Sequence, residues 1–314
     1  MSKRSLLLVN RHARRGKDTL SDALNQLKSL GFELFEESTE KPQQISDIIR
    51  RYRDRVDMVI VGGGDGTLNA ATAGLIETQL PLGILPLGTA NDLARTLGIP
   101  NSLTEACNII ANGEVRRIDI GGVNDKYFFN VASMGLTVQI TRNLSKEAKR
   151  RWGVLAYAAT AMQVISRSRP FNAQITINGA SVVVKTAQIA VGNGRFYGGG
   201  MVVAEDATIN DARLDLYSLE YKHWWQVVGL LPGMWQGTQG KSSAVRALQG
   251  QEIEVNTKTP RPISADGEII TYTPAKFRVI PQSLSVIVSK SPEIPGLQEE
   301  GVEEGEGADT ALKN

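Results

Sequence analysis

The chain has 314 residues, of which 41% are hydrophobic and 22% charged, and a formal net charge of +2, which excludes a disordered or fibrous protein and gives length for about two domains. A single cysteine, Cys107, excludes an intramolecular disulfide framework and a multi-cysteine metal cluster, and fits a reducing compartment. The N-terminus MSKRSLLLVN lacks the apolar run of a secretory signal, and the uncharged stretches at 152–166 and 223–240 are too short or too broken by Gly229, Pro232 and Gly233 to span a bilayer.

In chain order, Leu6–Val9 is an apolar run, and Leu20, Leu24, Leu27 and Leu30 recur at helical spacing. Phe32–Phe35 is strand-like, Ile45, Ile48, Ile49 and Tyr52 fall on one helical face, and Met58–Val61 ends abruptly at Gly62-Gly63-Gly64. Ala70–Ile76 reads as helix and Leu82–Leu85 as another buried strand. Short apolar strands alternating with helices predict crossover units and a parallel sheet covered on both faces, a Rossmann-like α/β domain over residues 1–122. From Tyr127 the pattern turns β-rich: Phe171–Ile177, Ser181–Val191, Leu214–Leu219, Glu252–Asn256, Lys276–Ile280 and Leu284–Val288, punctuated by Asn178-Gly179 and Asp266-Gly267. An antiparallel β-sandwich over residues 123–290 is expected, with helical insertions near Lys146–Ser166 and Tyr221–Trp235 and a site in the cleft between the halves. From Ser291 on, seven acids face Lys313 alone, so residues 291–314 are expected to be an acidic disordered tail and the body before them carries +8. A basic body suits an anionic ligand or surface without choosing between them.

Four segments carry candidate chemistry. Val61-Gly62-Gly63-Gly64-Asp65-Gly66-Thr67-Leu68-Asn69 follows a strand and opens a helix, where unpaired amides and the positive end of a helix dipole meet an anion. It is not a Walker A loop, and Thr67 spoils the dinucleotide fingerprint. Taken alone it also fits a plain tight turn. Leu85-Pro86-Leu87-Gly88-Thr89-Ala90-Asn91-Asp92 repeats the strand-to-helix arrangement, although Asn91 or Asp92 also fits an ordinary helix cap. Two such loops at successive strand ends converge on one crevice, and a nucleotide fits there. In Thr208-Ile209-Asn210-Asp211-Ala212-Arg213, Asp211 suits a hard divalent cation, and an ordinary turn fits equally. In Ser264-Ala265-Asp266-Gly267-Glu268, Glu268 suits a general base, and a common hairpin turn has the same sequence.

Together these residues resemble the diacylglycerol kinase catalytic-domain family, in particular its bacterial soluble lipid kinases. Gly63-Gly64-Asp65-Gly66-Thr67, Leu85–Asp92, Gly192-Asn193-Gly194-Arg195, Gly198-Gly199-Gly200, Ile209-Asn210-Asp211 and Asp266-Gly267-Glu268 occur in that family's order, over about residues 4–290. The resemblance implies an ATP- and Mg²⁺-dependent lipid kinase. Asn10, Thr39, Gly63, Gly64, Asp65, Gly66, Thr67, Leu68, Asn69, Ala70 and Thr89 match ATP-binding positions. Asp211 matches the side-chain Mg²⁺ ligand, with main-chain carbonyls of Thr208 and Arg213 around it. Glu268 matches the proton acceptor, and Asp65 and Asp92 match acids that organise metal and phosphates. The sequence departs from the family at Ala70, where a glutamate is usual, at Ala212, where glycine is usual, and at Arg11, where proline is usual. Ala212 is expected to make the turn work without a positive φ.

The implied partners are ATP and a lipid reached peripherally at the membrane surface; no nucleic acid is expected, and a homodimer is one option. The implied location is the cytoplasm or the inner face of the cell membrane. Arg142, Lys146, Lys149, Arg150, Arg151 and Trp152, followed by Val154, Leu155, Met162 and Ile165, read as a basic amphipathic stretch; with Trp224, Trp225 and Trp235 they are candidates for bilayer contact. Two rival readings stand beside the lipid kinase: an NAD kinase-like small-molecule kinase, which shares Gly-Gly-Asp-Gly, and a nucleotide- or lipid-sensing module without catalysis, which Ala70 favours. His12 and His223 are expected at the surface or in packing, and Cys107 in the core.

Overall fold

A computed structural model describes residues 3–9, 17–37, 41–143, 163–198, 200–204, 206–221, 223, 225–230, 233, 236–265, 268–290 and 296–297. The first half follows the alternation of the sequence. Strands β1 (Lys3–Val9), β2 (Phe32–Glu37), β3 (Met58–Gly63) and β4 (Leu82–Pro86) pair in parallel in the order β2-β1-β3-β4. Helices α1 (Lys17–Ser29), α2 (Ile45–Tyr52), α3 (Asp65–Thr78), α4 (Asp92–Thr96) and α5 (Leu103–Asn112) connect and cover them. Every residue of β3 and β4 is buried, because helices on both faces leave no solvent side. Leu6, Ile49, Val61, Leu75 and Leu82 are fully buried in one core with Cys107.

The β-rich half comprises β5 (Glu114–Val123), β6 (Lys126–Phe128), β7 (Val131–Gly135), α6 (Leu136–Asn143), β8 (Phe171–Ile177), β9 (Ala180–Thr186), β10 (Gln188–Gly192), the short pair β11 (Phe196–Tyr197) and β12 (Met201–Val202), β13 (Leu214–Leu219), α7 (Trp225–Gly229), β14 (Val245–Gly250), β15 (Glu252–Thr257), β16 (Pro262–Ala265), β17 (Glu268–Tyr272) and β18 (Ala275–Val288). A six-stranded sheet runs β14-β13-β10-β7-β16-β17. It packs on the antiparallel part of a ten-stranded sheet that continues from β4 through β18 to β15, β8 and β9, with β5 paired on β18 and β6 on β5. The shared core holds Phe128 and Phe277, whose rings meet edge to face 6.4 Å apart, together with Ile175, Val191, Leu216 and Ile263. Burial of each such ring contributes roughly 2–3 kcal/mol.

Three expectations need correction. Ser181–Val191 is not one strand: the chain breaks at Ala187, and β9 and β10 belong to different sheets. Conversely, Lys276–Ile280 and Leu284–Val288 are one strand with an irregularity between Ile280 and Leu284, where Gln282 adopts φ +45°. Its first part, with Phe277, lies in the sandwich core, and its second part, with Leu284, Val286 and Val288, lies in the α/β core. One strand thus joins the α/β core to the sandwich core within the ten-stranded sheet. Finally, not all of the acidic tail is free of the body. The Gly296 carbonyl accepts the Ile209 N–H at 2.7 Å, and Leu297 packs on the α/β core.

Candidate active site

The first glycine loop leaves β3 and enters α3. Gly64 is the N-cap, in an extended conformation, so the helix begins at Asp65, five residues before the predicted start. The Thr67 and Leu68 N–H groups both turn back on the Gly64 carbonyl (2.9 and 3.1 Å), which leaves the open end of the helix at Asp65 and Gly66. Thr67 folds over Gly63, where a β-carbon would lie 2.5 Å from Thr67 Cβ. Leu68 is core: its side chain is 1% exposed, so only its backbone belongs to the loop. Ala70 packs against the same core, and its carbonyl accepts the Ser46 hydroxyl at 2.7 Å. The Asn69 amide donates to the Tyr127 carbonyl at 3.0 Å and ties α3 to β6.

The second loop is built onto the first. Leu87 N–H donates to the Gly63 carbonyl at 3.0 Å, and Asp65 Oδ1 accepts the Leu93 N–H at 3.1 Å, so the carboxylate of one loop caps the helix of the other. The backbones touch at Gly64 and Gly88, where a β-carbon on Gly88 would meet Gly64 Cα at 2.5 Å and Asn91 Oδ1 at 2.6 Å. Asn91 is not an ordinary cap. It is left-handed (φ +51°), and its amide accepts from Gly88 N–H at 2.9 Å and donates back to the Gly88 carbonyl at 3.2 Å. Asp92 is buried in the first turn of α4, and Thr89 is exposed at the loop crest. Asn10 and Thr39 lie outside the described residues.

Glu268 starts β17 at the free edge of the six-stranded sheet, with Asp266 and Gly267 outside the described residues. Its carboxylate reaches across to the first loop: a β-carbon on Gly66 would lie 4.0 Å from Glu268 Oε1. The exposed start of α3 and an exposed carboxylate from the other half thus face each other.

The Asp211 turn precedes β13. Asp211 accepts N–H bonds from Thr208 (3.3 Å) and Arg213 (3.2 Å). The Arg213 guanidinium touches Asp206 at 2.8 Å, Asp211 at 3.3 Å and Asp215 at 3.8 Å. Burial pushes the Asp211 carboxyl above the ordinary range, against the pull of Arg213, and burial does the same to Asp215. Among the described residues no three acidic, imidazole or thiol side chains form a metal cluster. The donors nevertheless suit a hard cation: three carboxylates, that of Asp211 among them, share one guanidinium, and the Thr208 hydroxyl is buried without a hydrogen-bond partner. Ala212 does take a positive φ of +55°, contrary to expectation. Its N–H is held at 2.6 Å by Asp119 Oδ2, an acid that sequence reasoning missed. The signal was an aspartate inside the apolar run Ile118-Asp119-Ile120. The Gly192-Asn193 motif also has a structural role, as the Asn193 amide donates to the Asp119 and Phe129 carbonyls at 3.1 and 2.8 Å.

Of the candidate membrane residues, Arg142 is exposed and Ile165 packs beside Leu136, Ile140 and Val164. Trp225 is 56% exposed and stacks on His223 at 4.3 Å. Lys146, Lys149, Arg150, Arg151, Trp152, Val154, Leu155, Met162, Trp224 and Trp235 lie outside the described residues. No described helix is long and apolar enough to cross a membrane.

Residues 4–123 match the family of the diacylglycerol kinase catalytic domain, and residues 130–288 match the YegS C-terminal NAD kinase beta sandwich-like domain. The chain is 31% identical over 289 residues to a protein of Enterobacter sp. (strain 638) named "Probable lipid kinase YegS-like", covering 90% of this chain and 94% of that one. It is 27% identical over 278 residues to the diacylglycerol kinase of Bacillus subtilis (strain 168), covering 87% of this chain and 92% of the relative. A solved structure of a diacylglycerol kinase from Bacillus anthracis str. Sterne superposes with a TM-score of 0.74 at 21% identity, over 92% of this chain and 97% of that one, which speaks for the fold.

Proposed function

The chain belongs to the diacylglycerol kinase catalytic-domain family, in the branch with the YegS-type C-terminal domain, and is a lipid kinase; from that membership we propose that it transfers the γ-phosphate of ATP to a hydroxyl of a diacylglycerol- or phosphatidylglycerol-type lipid, with Glu268 as general base. The observation that carries this reading is the approach of the Glu268 carboxylate from the β-rich half to the start of α3 at Gly66. The division of labour is a nucleotide half over about residues 1–122 and a lipid-facing half over 123–290.

In this reading the triphosphate lies along the two glycine loops, against the backbone of Gly63 and Gly64 and the open amides of Asp65 and Gly66, with Thr67, Thr89, Asn69 and the backbone of Leu68 and Ala70 beside it and Asn10 and Thr39 completing the site. Glycine at Gly64 and Gly88 lets both backbones approach the ligand closely. Asp65 orients the second loop through the Leu93 N–H, and Asp92 supplies negative charge at the start of α4. Glu268 Oε1 takes the proton of the lipid hydroxyl as its oxygen forms a bond to the γ-phosphorus. The bond from that phosphorus to the β-phosphate oxygen breaks, and ADP leaves. Asp211, with the carbonyls of Thr208 and Arg213, would hold Mg²⁺, which when bound supplies positive charge against the phosphates. Most of the barrier reduction comes from alignment and charge neutralisation. The lipid is reached peripherally, from the cytoplasmic side of the membrane.

The test is transfer of label from γ-labelled ATP, with Mg²⁺, to vesicles carrying diacylglycerol or phosphatidylglycerol, beside a reaction with NAD. Label in lipid for the native chain, and its loss in Glu268→Gln, is the expected result. Label in NAD alone would move the chain to small-molecule kinases, and full lipid turnover in Glu268→Gln would remove the base from Glu268.

A further inference from the structure

We propose that Asp119 is a positioning residue that holds the Asp211 turn in its left-handed form by acting through the Ala212 N–H. The part of this proposal that concerns cation binding rests on the assignment of Asp211 as a ligand.

Asp119 is 1% exposed, in the middle of β5, and every polar group it carries is engaged. Oδ2 accepts the Ala212 N–H at 2.6 Å, and Oδ1 accepts the Gln282 N–H at 2.7 Å. Its own N–H donates to the Ile209 carbonyl at 2.8 Å, and its carbonyl accepts the Asn193 amide at 3.1 Å. Both residues gripped by the carboxylate are non-glycine residues at positive φ, Ala212 at +55° and Gln282 at +45°. L-residues avoid that region because Cβ crowds the following carbonyl, so something must hold them there. One carboxylate pins both: the turn that aims Asp211 and the irregularity at which β18 passes between the cores. The turn is held on each side of Asp211, at the Ile209 carbonyl and at the Ala212 N–H, so Asp119 fixes the backbone from which the Asp211 side chain extends. A carboxylate suits this role because it offers two acceptors to two donors. An asparagine of the same shape turns an NH₂ group toward one of them.

A cycle of four proteins, the full native chain, Asp119→Asn, Ala212→Gly and the double variant, is melted across a titration of MgCl₂ alone, beside Phe277→Leu and Asp211→Asn. Asp119→Asn is expected to raise the Mg²⁺ concentration at half-maximal thermal shift by about tenfold, the scale on which groups behind a ligand act. Ala212→Gly removes the Cβ penalty and is expected to bring that midpoint back to within about threefold in the Asp119→Asn background. Phe277→Leu, a core variant that also lowers the melting temperature, is expected to leave the midpoint where it was. An unshifted midpoint in Asp119→Asn, or no recovery on adding Ala212→Gly, overturns the proposal. If the native chain and Asp211→Asn respond to Mg²⁺ identically, the cation assignment at Asp211 fails instead. The melting temperatures alone then decide: non-additive changes across the four proteins uphold the link from Asp119 to Ala212, and additive changes overturn it.

Discussion

Glu268 stands on an exposed strand end, so its substitution separates chemistry from folding. Glu268→Gln is expected to lower lipid phosphorylation by roughly 10²–10⁴-fold, the usual weight of a positioned base, while moving the melting temperature by no more than about 2 °C. Cys107 is the opposite case, fully buried in the α/β core, where burial pushes its thiol from 9.0 up to about 11. A raised thiol keeps its proton in the folded chain when the unfolded chain has already lost it. The stability it contributes is therefore complete below pH 9.0 and is lost as pH rises toward about 11. Cys107→Ala is expected to flatten the alkaline limb of the stability curve by at most about 2–3 kcal/mol, read from urea unfolding at pH 8 and pH 11. At this scale the sequence announced glycines, acids and the lone cysteine by type and spacing. It did not announce Asp119, because the donors that define it, Ala212 and Gln282, are distant in the chain.

Loops and strands divide along the same line. The two glycine loops were legible because each obeys a local rule, a buried strand ending in glycine before a helix. Their attachment to each other was not, since the Gly64–Gly88 contact and the Asp65–Leu93 bond join different crossover units. Gly88→Ala tests that attachment. A methyl group there strikes Gly64 Cα at 2.5 Å, a backbone atom that cannot rotate away. The variant is expected to lose about 1–3 kcal/mol of stability, the typical cost of overpacking, and to bind ATP more weakly than a Thr89→Ala control, measured by calorimetry. The misread strands fail for a related reason. The β-rich run Ser181–Val191 carries no turn residue at Ala187, yet the backbone changes sheet there; around Gln282 polar residues interrupt the pattern, yet the strand continues.

At the scale of the whole molecule, β18 stitches the two cores together. Leu284, Val286 and Val288 finish the α/β core from the far end of the chain, and Phe277 on the same strand fills the sandwich. A fragment of residues 1–122 lacks those side chains and leaves the edge of β4 unpaired. It is expected to aggregate or remain unfolded by circular dichroism, whereas the full chain melts in one calorimetric transition that Phe277→Ala lowers by about 3–5 kcal/mol. An independently folded, cooperative fragment would show that β18 is dispensable to the first half.

The amino-acid order alone determined the kind of elements, the class of fold and the chemistry on offer, because periodicity, glycine spacing and residue type are properties of neighbours in the chain. The three-dimensional arrangement decided which of those groups meet. Only folding brings an edge-strand carboxylate to the first glycine loop, and only folding lets a buried aspartate carry an alanine in a conformation it would otherwise avoid. Both depend on contacts between residues far apart in sequence, which local patterns do not encode.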